Sequence, residues 1–534
     1  MRSVVPTALR SRIGSLPFGL ALLCGVIAAV VVFPLTWLVL QTATVDPGRA
    51  LSMLSRPTTV DVIVNSLLLM VAVTVLSVLI GVPLAYLTVR TDLPFRRFWS
   101  IVVSLPLVVP SYIGAFAFVS AFGPRGEFHS LLAPLGIERL PEIYGFPGTV
   151  AVITLYTYPY VYLTARAALL SFDTTLVDAA RTLNHDRWSA FRRVTFPHIR
   201  PAVAAGALLA ALYAVSDFGT PTIMRLPVFT RQIYVEYNAF GQDYAALLSL
   251  QLLVIVIAVL ALERWVRSGR SIHSDLGQTS GEAVVPLGRL RWPVTLFPAA
   301  IAGIALVVPI WILGLWLVTA ETGGRSSLAF EWAFAFNSVW ISVAAALVAT
   351  LAALPVAYFA ATYDSPLATV FERATYVGFA VPGVVLALAL VYFGAGYLPG
   401  LYQTIPLLVF AYTVRFMPQA VGAIRTTTRQ VDPLLVEAAR TLGEAPHRAF
   451  RRVTLPLIAP GVIAGAALVF LTTMKELPAT LILRPTGFET LVTHIWRAQE
   501  AAYFQYAAVP ALLLVVVSGL SMVVLLSQGE RAGR

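Results

Sequence analysis

Lysine is almost absent: the 534 residues contain one, Lys475, and the stretch before it, Val469 to Met474, has no glycine. A phosphate-binding loop needs a lysine preceded by glycines that let backbone amides approach the phosphates, so the chain carries no such loop. Cysteine is equally scarce. Cys24 stands alone in the first apolar run, which excludes an intrachain disulfide framework and a cysteine-based metal site. The six histidines, His129, His185, His198, His273, His447 and His494, show no metal-ligand spacing, so the chain is expected to hold neither a metal nor another cofactor of its own. Charged residues make up only 12% of the chain, about half the share of an ordinary soluble domain.

What is present is apolar: 58% of residues, with a mean hydropathy of +0.82. Runs of about 20 apolar residues, the length that crosses a bilayer, recur from end to end. The sequence predicts an all-α polytopic membrane protein with twelve transmembrane helices, near 16–41, 60–89, 99–122, 148–170, 201–223, 244–263, 293–319, 333–361, 372–395, 402–424, 457–482 and 503–527. Soluble enzymes and disordered scaffolds are excluded. The first run is too long for a signal-peptide core and is expected to be retained. Prolines inside the runs (Pro34, Pro83, Pro110, Pro159, Pro355, Pro382, Pro418) predict kinked helices packed in a bundle.

The net charge of +11 is expected on cytoplasmic loops facing anionic lipid and implies no nucleic-acid partner. Arg2, Arg10 and Arg12, Arg96 and Arg97, the stretch from Arg181 to Arg193, Arg264 to Arg270, and the stretch from Arg440 to Arg452 fall on one side. Both termini are therefore expected in the cytoplasm.

Residues 264–292 read as a cytoplasmic linker between two six-span units, 1–263 and 293–534. The units repeat in parallel. Asn65-Ser66, Pro83, Ala85-Tyr86 and Pro110 recur 272 positions later as Asn337-Ser338, Pro355, Ala357-Tyr358 and Pro382. Beyond that point the offset is 259, and the extra length of the first unit is expected in the external loop around Phe122 to Pro147.

The best-preserved repeat is a loop. Residues 178–206 and 437–465 share 17 identities over 29 aligned positions, although loops ordinarily drift faster than the spans they join. Within 172–200 and 429–456 the residues predict helix, turn, helix. Asp173 or Thr174, and Asp432, are placed to cap a first helix, while Asn184 and Gly443 suit a left-handed stop. Phe191 matches Phe450, and Pro197 and Pro456 are expected to break the chain before the next span. One protruding element under each unit fits a two-fold symmetric cytoplasmic partner better than a helix lying on the membrane.

These loops resemble the EAA motif of binding-protein-dependent ABC importer permeases. The second copy carries it in full as Glu437-Ala438-Ala439, Gly443 and Leu455-Pro456; the first substitutes Asp178 before Ala179-Ala180, Asn184 for the glycine and Phe196 before Pro197. The resemblance implies a type I (MetI-like) importer fold in the bacterial inner membrane. It also implies that each loop docks on an ATPase subunit, two copies in all, which bind ATP and magnesium, and that an external binding protein delivers cargo. The chain itself is then a transport subunit and not an enzyme.

Charged residues within spans are functional candidates. Asp217 and Glu476 lie 259 positions apart at equivalent outer ends, with Lys475 beside the latter. They read either as a polar lining or gate, or as acids capping helix ends; Arg415 and Tyr158 are further candidates for lining a path. The segments around Asp217 and Glu476 look most like those of fused ferric-iron permeases, which implies Fe(III) as cargo. Thiamine, polyamine, phosphonate and oxyanion permeases share the architecture. The rival from another class is an ion-coupled twelve-span secondary transporter, which leaves the duplicated loop unexplained.

Overall fold

The computed structural model describes residues 17–123, 126–136, 142–173, 175–182, 186–268, 284–319 and 328–532. Arg2, Arg10, Arg12, Thr174, Asn184, His185 and most of the linker, 269–283, lie outside them. Among the described residues the regular structure is helical, apart from one isolated bridge between Thr91 and Val285. Val285 N–H donates to Arg90 O at 2.8 Å and Leu287 N–H to Asp92 Oδ1 at 2.6 Å, so the end of the linker is pinned to the end of the second span.

Among the described residues, eight helices are long and apolar enough to cross a membrane: Phe18–Ala43, Pro57–Arg90, Phe191–Ser216, Gln242–Leu262, Gly288–Val318, Trp332–Thr362, Ile405–Thr428 and Pro446–Met474. Two bent pairs, Arg96–Val108 with Ser111–His129 and Pro366–Ala380 with Gly383–Tyr397, raise the number to ten. The remaining two of the twelve expected spans fall on Phe146–Leu170, diluted by tyrosines and threonines, and on the shorter apolar helix Phe504–Leu520. Length and composition thus reach ten.

The bends have one cause in both repeats. A residue before proline is driven into extended conformation; Val109 (ψ 127°) and Val381 (ψ 126°) precede Pro110 and Pro382, and the second pair turns through 100° there. Pro34, Pro83, Pro159, Pro355 and Pro418 instead lie inside continuous helices. The fifth spans end sooner than expected. Helix Phe196–Ser216 stops at Asp217 and a short helix, Gly219–Ile223, follows; Leu455–Met474 stops before Lys475 and is followed by Pro478–Leu483.

The repeated Asn-Ser pairs have a physical role. Asn65 Nδ2 donates to Pro227 O (3.1 Å) and Asn337 Nδ2 to Glu489 O (2.8 Å), while Ser66 and Ser338 Oγ accept from Phe229 N–H (3.1 Å) and Leu491 N–H (2.8 Å). Each pair ties the start of a long span to the amphipathic helix after the fifth span, Phe229–Asn238 or Leu491–Glu500.

Packing divides the chain differently from the sequence repeat. One compact unit comprises residues 1–44, 331–494 and 520–534; the other comprises 45–330 and 495–519. The first span therefore belongs with the second repeat: Phe33 and Trp37 pack on Phe393, at 5.1 and 5.4 Å between ring centroids, and Trp37 also meets Tyr397 at 4.1 Å. In the other unit Phe116 of the first repeat meets Trp316 at 5.0 Å and Phe504 at 5.2 Å. Aromatic rings bury large apolar areas, which the 264–292 boundary in sequence does not register.

Candidate functional site

The cytoplasmic-loop candidates form the elements their residue types require. Asp432 Oδ1 accepts from Leu434 N–H at 2.9 Å and caps helix Pro433–Thr441; Asp173 Oδ1 accepts from Thr175 N–H at 2.9 Å ahead of Thr175–Thr182. The Thr175 amide holds the Asp173 carboxyl below its ordinary range. Gly443 has φ +90°, the left-handed stop expected of it, with its N–H on Arg440 O (3.1 Å) and Glu444 N–H on Ala439 O (3.1 Å). Glu437 and Ala438 are exposed and Ala439 is half-buried. Asp178, Ala179 and Ala180 fall on helix Thr175–Thr182.

Helix Pro433–Thr441 buries none of its residues. Leu434 is 64% exposed, Leu435 48%, and Leu442 just beyond it 86%. Apolar side chains left open on a polar loop mark an interaction surface.

The second helix of each loop runs straight into the fifth span. The identical segment Phe-Arg-Arg-Val-Thr is a π-turn in both copies, Phe191–Thr195 and Phe450–Thr454. Pro197 and Pro456 consequently do not break the chain. They sit in the first turn of Phe196–Ser216 and Leu455–Met474, where the widened π-turn accommodates a ring and a missing N–H. Phe191 meets the ring of Tyr86 at 5.1 Å and 78°, and Phe450 meets Tyr358 at 5.1 Å and 76°. The repeated Ala-Tyr pairs thus anchor the loops to the second span of each repeat, a contact that sequence reasoning missed although both partners were visible as repeats.

At the opposite ends of the fifth spans the repeats diverge. Glu476, 6% exposed, accepts from Arg415 Nη1 at 3.0 Å and from Ala479 N–H at 3.1 Å, so its Oε1 both caps helix Pro478–Leu483 and neutralises the arginine. Thr480 Oγ donates to Glu476 O and shares a hydrogen bond with Tyr412 at 2.7 Å. Any Cβ at Gly383, the first residue after the helix break, would collide with Arg415 Nη1 and Glu476 Oε1. Lys475 is half-buried beside this pair.

The mate of Gly383 is Ser111, and the mate of Arg415 is Tyr156. Ser111 Oγ donates to Asp217 Oδ2 at 2.9 Å and itself accepts from Tyr213 at 3.0 Å, while Thr230 Oγ donates to Asp217 O at 2.7 Å. Tyr156 turns elsewhere, donating to Ala305 O at 3.1 Å. The first carboxylate is thus held by the Ser111 hydroxyl and the second by a guanidinium. Tyr158 is fully buried and donates to Val103 O at 2.7 Å, tying two backbone segments together. Among the described residues no three His, Cys, Asp or Glu side chains converge as metal ligands.

The profile of the family described as binding-protein-dependent transport system inner membrane component matches twice, over residues 77–270 and 353–531. A Fe(3+)-transport system permease protein, FbpB 2, of Haemophilus influenzae is 32% identical over 95% of this chain and 98% of its own. A ferric transport system permease protein of Actinobacillus pleuropneumoniae is 24% identical over 89% of this chain and 72% of its own. A molybdate/tungstate transport system permease protein, WtpB, of Thermococcus kodakarensis is 26% identical over 44% of this chain and 90% of its own. The chain is an ABC importer permease carrying two consecutive permease repeats, and it belongs to the family of inner membrane components of binding-protein-dependent transport systems.

Proposed function

We propose that this chain forms the transmembrane pathway of an ATP-driven importer of ferric iron. Two cytoplasmic loops couple it to two separate ATPase subunits, and an external binding protein supplies the iron. Both termini and the arginine-rich loops lie in the cytoplasm.

The observation that carries the coupling is the duplicated loop: a capped helix with uncovered leucines, stopped at Gly443 and followed by a second helix, Pro446–Ala449, that continues through a π-turn into a membrane helix. A push on the capped helix passes through the turn at Gly443 to the second helix, which forms one continuous rod with the fifth span, Pro446–Met474, with the Phe450–Tyr358 and Phe191–Tyr86 contacts fixing the foot of each rod. ATP binding and hydrolysis in the partner then bias the two arrangements of the bundle.

The cargo reading is supported by the relative that matches nearly end to end, whose printed substrate is Fe(3+). Oxyanion transport is the second reading, favoured by the molybdate/tungstate relative, which aligns with a single repeat. The test is ATPase activity of the chain reconstituted in lipid with its ATPase subunit, with the binding protein supplied empty, iron-loaded or molybdate-loaded. Stimulation above the empty protein by the iron-loaded form alone is expected; stimulation by molybdate alone overturns the cargo and leaves the importer standing. Failure of any ATPase to associate overturns the coupling as well.

A further inference from the structure

Arg90 ends the second span of the first repeat, and its guanidinium reaches the end of the fourth. Its Nη2 donates to Leu169 O at 2.6 Å and to Phe172 O at 3.0 Å. Helix Phe146–Leu170 stops there, and the last carbonyls of a helix lack intrahelical donors and favour a cation. The same guanidinium lies over the Phe172 ring at 5.6 Å, and that ring meets His198 at 5.3 Å and 69°. His198 Nδ1 donates in turn to Val194 O at 2.7 Å, inside the π-turn Phe191–Thr195. Phe172 precedes the loop helix Thr175–Thr182 and His198 follows the π-turn, so this stack joins the entry of the first cytoplasmic loop to its exit.

The linker holds the backbone that carries Arg90. Val285 N–H donates to Arg90 O at 2.8 Å, Asp92 N–H to Val285 O at 3.3 Å, and Leu287 N–H to Asp92 Oδ1 at 2.6 Å. The second repeat has none of the three side chains of the stack: the mates of Arg90, Phe172 and His198 are Thr362, Val431 and Leu457. It braces the approach to its loop by other means. Arg425, in the last turn of helix Ile405–Thr428, donates to Glu372 Oε1 at 2.5 Å and so ties the fourth span to the third. The first repeat keeps the arginine as Arg166 but has Ser100 in place of Glu372. Each loop thus has a charged brace at its entry, and only the brace of the first is bonded to the linker.

We infer that Arg90 is a positioning residue for energy coupling in the first repeat, and that the linker end from Val285 to Leu287 is part of the brace it forms. The inference rests on the importer reading above, in which the loop passes the motion of an ATPase subunit to the fifth span. A loop whose entry and exit are held to one guanidinium moves as a unit, so a displacement of its helix reaches the fifth span and is not absorbed at the joint after Leu170. Arginine suits the place because one delocalised cation serves two carbonyls and an aromatic face together. The linker is then more than a tether between the repeats, because it fixes the height of the residue that holds the first loop.

The experiment measures ATP hydrolysed per iron imported by the complete complex in proteoliposomes, together with amide exchange over residues 169–173. Arg90→Met, which keeps most of the stem and removes the donors, is expected to raise that ratio about threefold and to speed exchange about tenfold. Arg90→Lys, which keeps a cation at the helix end, is expected to stay within about a factor of two of the parent. Thr362→Met, at the matching place in the second repeat, is expected to match the parent in both readings. Co-purification with the ATPase reports that each variant folds. Should Arg90→Met fail that check, Asp92→Ala, which releases Leu287 N–H and leaves Arg90 in place, is expected to raise the ratio about twofold, and an unchanged ratio there overturns the brace. Hydrolysis and uptake that fall together in Arg90→Met, leaving the ratio unchanged, overturn the positioning role and make the residue merely structural. If hydrolysis by the parent complex is not tied to uptake at all, the importer reading falls and the role of Arg90 in coupling falls with it.

Discussion

Gly383 lies so close to the Arg415–Glu476 pair that any side chain at 383 would displace the guanidinium from the carboxylate. The glycine follows Pro382 at the break of a bent span, and Glu476 caps the short helix after the fifth span. One buried ion pair thus fastens two interrupted helices of the second repeat. Gly383→Ala is expected to lower the unfolding temperature and the uptake rate together, as measured on the purified complex. An alanine variant as stable as the parent would show that the pair is not needed at this junction.

Breaking the pair from one side leaves a buried charge. Glu476→Gln is expected to cost about 3 kcal/mol, read from denaturant or thermal unfolding, whereas Arg415→Met combined with Glu476→Leu should recover most of it. If the double variant is the less stable of the two, the pair contributes more than mutual neutralisation.

Asp217 offers the contrast. Its carboxylate accepts from the Ser111 hydroxyl, and an amide oxygen can accept there as well. Asp217→Asn is expected to keep stability within about 0.5 kcal/mol, while Asp217→Ala loses about 1 to 2 kcal/mol by leaving Ser111 without its acceptor. A path that attracts a cation through this charge loses uptake equally in both variants. Normal uptake by Asp217→Asn would reduce the residue to a structural role.

At the cytoplasmic loop, Leu434→Asp with Leu435→Asp removes exposed apolar surface without touching a buried group. The variant should fold normally and lose ATPase association. Gly443→Val, which forces a β-branched residue to φ +90°, should cost about 1 to 2 kcal/mol locally and uncouple hydrolysis from uptake. Tight coupling retained by both variants would move the docking surface elsewhere.

Much of this was legible in the sequence because the chain repeats itself. Asp432 and Gly443 carry local rules, so the cap and the stop of the first loop helix could be placed from residue types alone. Two features were not legible. Pro197 and Pro456 read as breakers because a helix interior normally rejects proline, and only the preceding π-turn relieves the conflict. The exchange of first spans between compact units depends on contacts such as Trp37 with Tyr397, 360 positions apart, which no local pattern encodes. At the candidate gate the equivalence of Asp217 and Glu476 was visible, but not their different partners. Arg415 and Ser111 come from other helices, and the broken spans that bring them close are tertiary features.

The most direct test is accumulation of radioactive Fe(III) inside proteoliposomes that contain this chain and its ATPase, with iron-loaded binding protein outside and ATP inside. Uptake that requires ATP and the binding protein, and that is lost in Leu434→Asp with Leu435→Asp, is the expected result. Uptake driven by a proton or sodium gradient without ATP, or accumulation of molybdate in place of iron, would contradict it.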